Sequence, residues 1–153
     1  IPAARVVGVD ASAEALAVAR RNAAAHGLAV ELREGHWFEP LRGEHFDLVV
    51  ANPPYVAEGD PHLLEGALRF EPRTALVSGA DGLDAIREII SGARAVLARQ
   101  TRQPSPGWLL LEHGAGQDGA VRKLLLQNGF ESIATWPDLA GIARVSGGRL
   151  KSD

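Results

Sequence analysis

Phe46-Asp47-Leu48-Val49-Val50-Ala51-Asn52-Pro53-Pro54-Tyr55 is the stretch whose reading decides the fold. Its first six residues read as a buried strand, because they are nearly all apolar and rich in β-branched valine. Two consecutive prolines then stop the strand by removing two backbone donors and fixing φ twice. Asn52 precedes a proline and is held extended. A polar amide is thereby expected at the carboxyl end of a core strand, the edge where open α/β sheets bind ligands.

Upstream, Arg5-Val6-Val7-Gly8-Val9-Asp10 reads as a short buried strand ending in an acid. A helix is expected from about Ser12 to His26, with Ala15, Leu16, Ala19 and Ala23 as its apolar stripe and Gly27 as its stop. A second strand spans Ala29 to Arg33, and a loop carries Gly35-His36-Trp37-Phe38-Glu39-Pro40. Downstream, Val56 to Arg73 is a long polar connection of the kind that is functional or mobile. Asp81-Gly82 opens a helix to about Ala98, with Leu83, Ile86, Ile90, Ala93 and Leu97 on one face. Gln100 to Pro106 is a loop, and Trp108-Leu109-Leu110-Leu111-Glu112 is a buried strand. Gln117 to Asn128 is a helix presenting Val121, Leu124, Leu125 and Asn128 on one side. Phe130 to Trp136 and Ala143 to Gly147 read as a terminal antiparallel pair.

Alternating strands and helices predict a mostly parallel sheet covered on both faces. The last two strands, joined without a helix, add one antiparallel member. This is a Rossmann-like layout.

The 153 residues predict one domain with a real core, since 46% of them are apolar. The net charge of −3 gives no electrostatic argument for nucleic-acid binding. There is no cysteine, so neither a disulfide framework nor thiolate chemistry is available. No apolar run approaches the roughly 18 residues of a membrane span. The expectation is a soluble cytoplasmic protein. The five histidines show no metal-ligand spacing, so no metal is expected.

Asn-Pro-Pro-Tyr after an apolar strand resembles the substrate motif of S-adenosylmethionine-dependent methyltransferases that modify a planar nitrogen. A narrower resemblance covers nearly the whole chain. Phe46 to Val56, Arg69-Phe70-Glu71-Pro72 with Ala75-Leu76, Gly107 to Gly114, and Asp138-Leu139-Ala140-Gly141 with Arg144-Val145 and Gly148-Arg149 resemble the HemK/PrmC family. The resemblance implies protein-(glutamine-N5) methyltransferase activity, with S-adenosylmethionine as cofactor and the glutamine of a Gly-Gly-Gln loop in peptide-chain release factors as substrate. It also implies that residues 1–153 are catalytic-domain sequence. The family's first strand, its Gly-x-Gly-x-Gly loop and its amino-terminal helical domain have no counterpart here, so the chain is expected to be incomplete; the alternative is a short protein that pairs its strands differently. A strand missing from the middle of a sheet would leave two unpaired inner edges.

Asn52, Pro53, Pro54 and Tyr55 are the expected catalytic and substrate-binding residues, and Asn52 is expected to touch the cofactor as well. A side-chain amide nitrogen is a poor nucleophile, so orientation matters more than a strong base. The Asn52 side-chain oxygen and the Pro53 carbonyl are candidates to accept its two N–H groups. The Tyr55 ring is placed against the substrate amide or the cationic methyl donor. The bland reading is a Pro-Pro turn with a locally bonded asparagine.

Asp10 ends a strand before a helix, where an acid accepts from ribose hydroxyls in nucleotide-binding folds. An acid stabilised by the helix dipole is the alternative. The resemblance sets Trp37 beside the adenine ring, where it would stack; core packing beside Phe38 is the equal alternative. At His36 family members often carry Asp, and a neutral histidine accepts through one nitrogen only. Ala143 is a second departure, where the family often carries an acid or amide. Glu112-His113-Gly114 is expected to form a hydrogen-bonding corner at the same sheet edge. Two readings stand beside the first: an amino-methyltransferase of adenine or guanine, which would need a flipped base, and an inactive fragment or binding module.

Overall fold

The computed structural model describes residues 4–64, 66, 70, 72–97 and 107–151. The chain forms two compact units, Ile1–Glu44 and His45–Asp153.

In the first unit, β1 (Val6–Asp10) and β2 (Val30–Glu34) pair in parallel, in register from Val6 opposite Val30 to Asp10 opposite Glu34. α1 (Ala13–Ala25) makes the crossover. Its start is fixed by Ser12, whose hydroxyl accepts from the Ala15 N–H at 3.1 Å, a cap that stabilises by about 1 kcal/mol. Its end is fixed by His26, followed by Gly27 at φ 64°. Leu16 is buried and Ala19 and Ala23 are half-buried, but Ala15 is exposed, so the apolar stripe is narrower than expected. β1 is half-buried rather than buried.

The second unit holds a four-stranded sheet in the order β3 (Leu48–Ala51), β4 (Trp108–Glu112), β6 (Ala143–Leu150), β5 (Phe130–Pro137). β3 and β4 are parallel, while β6 runs antiparallel to both β4 and β5. β6 is therefore the antiparallel member of this sheet. A bulge in β5 between Glu131 and Ala134 carries Ser132 at φ 51°.

The core of this unit lies on one face of the sheet. Leu109 and Leu111 of β4 are fully buried there, with Val121 and Leu125 of α4 (Asp118–Gln127) and Ile86, Ile89, Ile90 and Ala93 of α3 (Asp84–Ala93). Each such Leu or Ile contributes about 1.5–3 kcal/mol. The other face differs from the expectation of burial on both sides. Leu48 and Val50 are 50% and 68% exposed, and Leu48, Trp108, Leu110, Trp136 and Val145 line an open apolar hollow. Alternation puts these residues opposite the face that the helices cover.

α3 begins three residues later than expected. Gly79 and Gly82 sit at φ 74° and 75°, outside the helical region, and the Asp81 carboxylate accepts the Leu83 N–H in a local turn. It also ends earlier, because the chain turns away to run beside Phe46. The Val96 carbonyl accepts from the Phe46 N–H at 2.8 Å, and Phe46 and Leu97 form a parallel bridge. The long connection after Tyr55 contains a 3₁₀ turn at Pro61–Leu64 and the short α2 (Arg73–Leu76). Arg69, Glu71, Ala98 and the 100–106 loop lie outside the described residues.

Candidate functional site

β3 ends at Ala51, and the four residues after it divide sharply by exposure. Asn52 is exposed, Pro53 is buried, and Pro54 and Tyr55 are half-buried. The Asn52 side chain has no hydrogen-bond partner among the described residues. Its amide therefore stands free on a proline seated in the protein.

Tyr55 is held at both ends. Its hydroxyl donates to Glu112 Oε1 at 3.1 Å. Glu112 ends β4, one place beyond the last β3–β4 pair, Ala51 opposite Leu111. The Tyr55 carbonyl accepts from Gln117 Nε2 at 3.1 Å. Burial first, and then the bond to Glu112, push the Tyr55 phenol above its ordinary value of 10.0. The phenol is therefore neutral and a donor throughout the physiological range.

The chain after Tyr55 is pinned as well. Val56 N–H donates to the Leu76 carbonyl at 2.9 Å, and Ser78 N–H donates to the Val56 carbonyl at 2.9 Å. Buried Ser78 accepts from the Ala85 N–H at 2.7 Å and so supplies a missing partner to the first turn of α3.

Glu112-His113-Gly114 forms the expected hydrogen-bonding corner. His113 is fully buried; its Nδ1 donates to the Gly114 carbonyl at 3.0 Å, and its Nε2 meets Ser146 Oγ at 2.9 Å. Ser146 Oγ in turn meets Thr135 Oγ1 at 2.8 Å. This chain of bonds ties the end of β4 to β6 and β5.

Asp10, His36 and Trp37 belong to the first unit, and Asn52 to Tyr55 belong to the second. Asp10 is exposed at the end of β1, and one of its oxygens accepts the Ser12 N–H at 2.8 Å. The other carries no partner among the described residues. His36 is exposed, with its ring 4.8 Å from that of Trp37 and tilted by 59°. Trp37 has φ 44°, an uncommon conformation for an aromatic residue, and its indole Nε1 is buried with no hydrogen-bond partner among the described residues.

Sequence reasoning left Glu112 without a chemical role and missed Gln117, Gly82 and Ser78. A glutamine at a helix start and a glycine in a turn carry no local signal of what they touch 36 or 62 residues away.

The profile of a family described as "Methyltransferase small domain" matches residues 1–70. A release factor glutamine methyltransferase of Xylella fastidiosa is 54% identical over 149 residues, covering 97% of this chain and 52% of the relative. One from Pseudomonas aeruginosa is 48% identical over 145 residues, covering 94% of this chain and 50% of the relative. The chain spans about half the length of the curated relatives it matches. Among solved structures, a methyltransferase from Pyrococcus furiosus superposes with a TM-score of 0.66 at 14% identity, over 95% of this chain and 62% of that one. A protein-(glutamine-N5) methyltransferase from Alicyclobacillus acidocaldarius superposes with a TM-score of 0.52 at 24% identity, over 96% and 80%. The mixed α/β fold resembles that of these solved methyltransferases, and over the span they share the sequence is similar to the release factor glutamine methyltransferases.

Proposed function

We propose that this chain carries the catalytic portion of an S-adenosylmethionine-dependent methyltransferase whose substrate is a glutamine side-chain amide in a Gly-Gly-Gln loop of a peptide-chain release factor. The observation that carries this reading is the exposed, unpartnered Asn52 amide standing on buried Pro53 at the carboxyl end of β3. The identity of 54% to a protein of that name supports the choice of substrate.

Asn52 Oδ1 accepts one N–H of the substrate amide, and the Pro53 carbonyl accepts the other. With both hydrogens held, the nitrogen lone pair has one direction left, and the two acceptors favour the positive charge that develops on nitrogen. Pro53 and Pro54 keep the acceptors from turning away. Tyr55, fixed through Glu112 and Gln117, presents its ring as a wall of the site.

Bound S-adenosylmethionine supplies an electrophilic methyl group on a sulfonium. The first unit offers groups that fit it. Asp10 has one uncommitted carboxylate oxygen to accept from ribose hydroxyls. Trp37 has a flat face and a buried N–H without a partner among the described residues. His36 is exposed beside it, with its ring 4.8 Å from that of Trp37. The reading places the protein in the cytoplasm, acting in translation termination with a release factor as protein partner.

The test is transfer of labelled methyl from S-adenosylmethionine to a release factor. Label is expected with the natural Gly-Gly-Gln loop and not with its Gln→Ala variant. Label that persists in the variant, or that enters RNA or DNA instead, overturns the assignment.

A further inference from the structure

We propose that Gln117 is a positioning residue that sets the geometry of the Asn-Pro-Pro-Tyr loop; this rests on the reading of that loop as the substrate site. Gln117 is the residue immediately before α4. Its Oε1 accepts from the Gly114 N–H at 2.8 Å, and its Nε2 donates to the Tyr55 carbonyl at 3.1 Å and the Asp81 carbonyl at 3.3 Å. One side chain thereby joins the loop after β3, the turn before α3 and the loop after β4.

The chemistry of these partners fixes the amide's orientation. Two carbonyls require N–H donors, and a backbone N–H requires an acceptor. Glutamine alone supplies two donors and an acceptor at this reach. Glutamate would set a carboxylate oxygen against two carbonyls, and asparagine is one methylene short.

The surrounding backbone is shaped for this contact. Gly82 has φ 75°, and a Cβ there would lie 2.3 Å from the Tyr55 carbonyl oxygen and 2.8 Å from Gln117 Nε2. A Cβ on Gly114 would lie 2.9 Å from Gln117 Oε1 and 3.4 Å from Tyr55 Cδ2. Both glycines leave the space that the glutamine and the tyrosine occupy. Tyr55 is then fixed at its carbonyl by Gln117 and at its hydroxyl by Glu112, so the ring direction and the backbone leading back to Asn52 are set together.

Tyr55 is the sole tyrosine of the sequence, so 3-fluorotyrosine gives a single ¹⁹F signal that reports this loop independently of catalysis. The experiment compares the unaltered chain with Gln117→Ala, Gln117→Glu and, as a control, Arg122→Ala on the exposed side of α4. In Gln117→Ala and Gln117→Glu the ¹⁹F line is expected to broaden or move toward that of the free amino acid, and kcat to fall about 10- to 100-fold with KM changed less, as for a misplaced reacting group. Arg122→Ala leaves both unchanged. An unmoved ¹⁹F line in Gln117→Glu, or a loss confined to KM, overturns the inference. If Gln117→Ala fails to fold, the isosteric Gln117→Glu decides between the two outcomes. Absence of methyl transfer by the unaltered chain, with the ¹⁹F shift present, would instead reject the catalytic reading and leave the clamp standing.

Discussion

The Tyr55 hydroxyl donates to Glu112 at 3.1 Å and so ties the residue four places beyond the end of β3 to the last residue of β4. The two strands are parallel neighbours, so this bond closes the sheet edge just past their final pair. It converts a proline-rich turn into a wall braced from the adjacent strand.

Tyr55→Phe keeps the ring and removes the brace. The expected loss is about 0.5–1.5 kcal/mol of stability, with a measurable fall in methyl transfer. Denaturant midpoints and kcat on the same preparation check it.

Alkaline titration reads the same pair. The Tyr55 phenol titrates above 10.0, mainly through burial and then through Glu112. A raised value means that the associated stability is complete below pH 10.0 and is lost as pH rises through the folded-state value. Glu112→Gln is expected to lower the titration toward 10.0 without abolishing the shift, because burial remains. Tyrosinate absorbance measures it, since the sequence holds one tyrosine.

Asn52→Ala removes an exposed side chain with no partner to lose among the described residues. The fold is expected to be unaffected, while kcat/KM falls about 100- to 1000-fold, the size of losing one preorganised hydrogen-bonding group. A stability loss equal to the activity loss would assign Asn52 to structure instead.

His113→Ala has the opposite signature. It empties a fully buried site and strips partners from Ser146 Oγ and the Gly114 carbonyl. A destabilisation of about 2–5 kcal/mol is expected, read as a lowered melting temperature.

Glu44 in the first unit is held at about 2, below its ordinary 4.5, by hydrogen bonds from Arg33 first and Arg5 second. A lowered value contributes stability above pH 4.5 that is lost as pH falls toward about 2. Glu44→Gln is expected to be less stable than the unaltered chain at neutral pH and equal to it near pH 2. A difference that persists at that acid end would show that packing, not the ion pairs, explains the loss.

Local signals were legible in the sequence. The helix start near Ser12, Gly27 as a stop, β4 at Trp108–Glu112 and the buried face of α4 each depend on residues a few places apart. The antiparallel member was legible because no helix separates β5 from β6, although the insertion of β6 between β4 and β5 is a non-local outcome. The Asn-Pro-Pro-Tyr stretch announced an edge loop because two prolines act on their own backbone. What holds that loop was not legible. Gln117 reaches it across 62 residues, and Gly82 matters through a space that only the folded chain defines. The exposure of Leu48 and Val50 was hidden for a related reason, since apolarity does not say which face a helix covers.

The most direct test of the central claim is tandem mass spectrometry of a release factor after incubation with this chain and S-adenosylmethionine. The account predicts one added methyl, located on the side-chain nitrogen of the Gly-Gly-Gln glutamine, and none when Asn52→Ala replaces the unaltered chain. A methyl found on another residue, or one that the Asn52→Ala variant adds equally well, would contradict it.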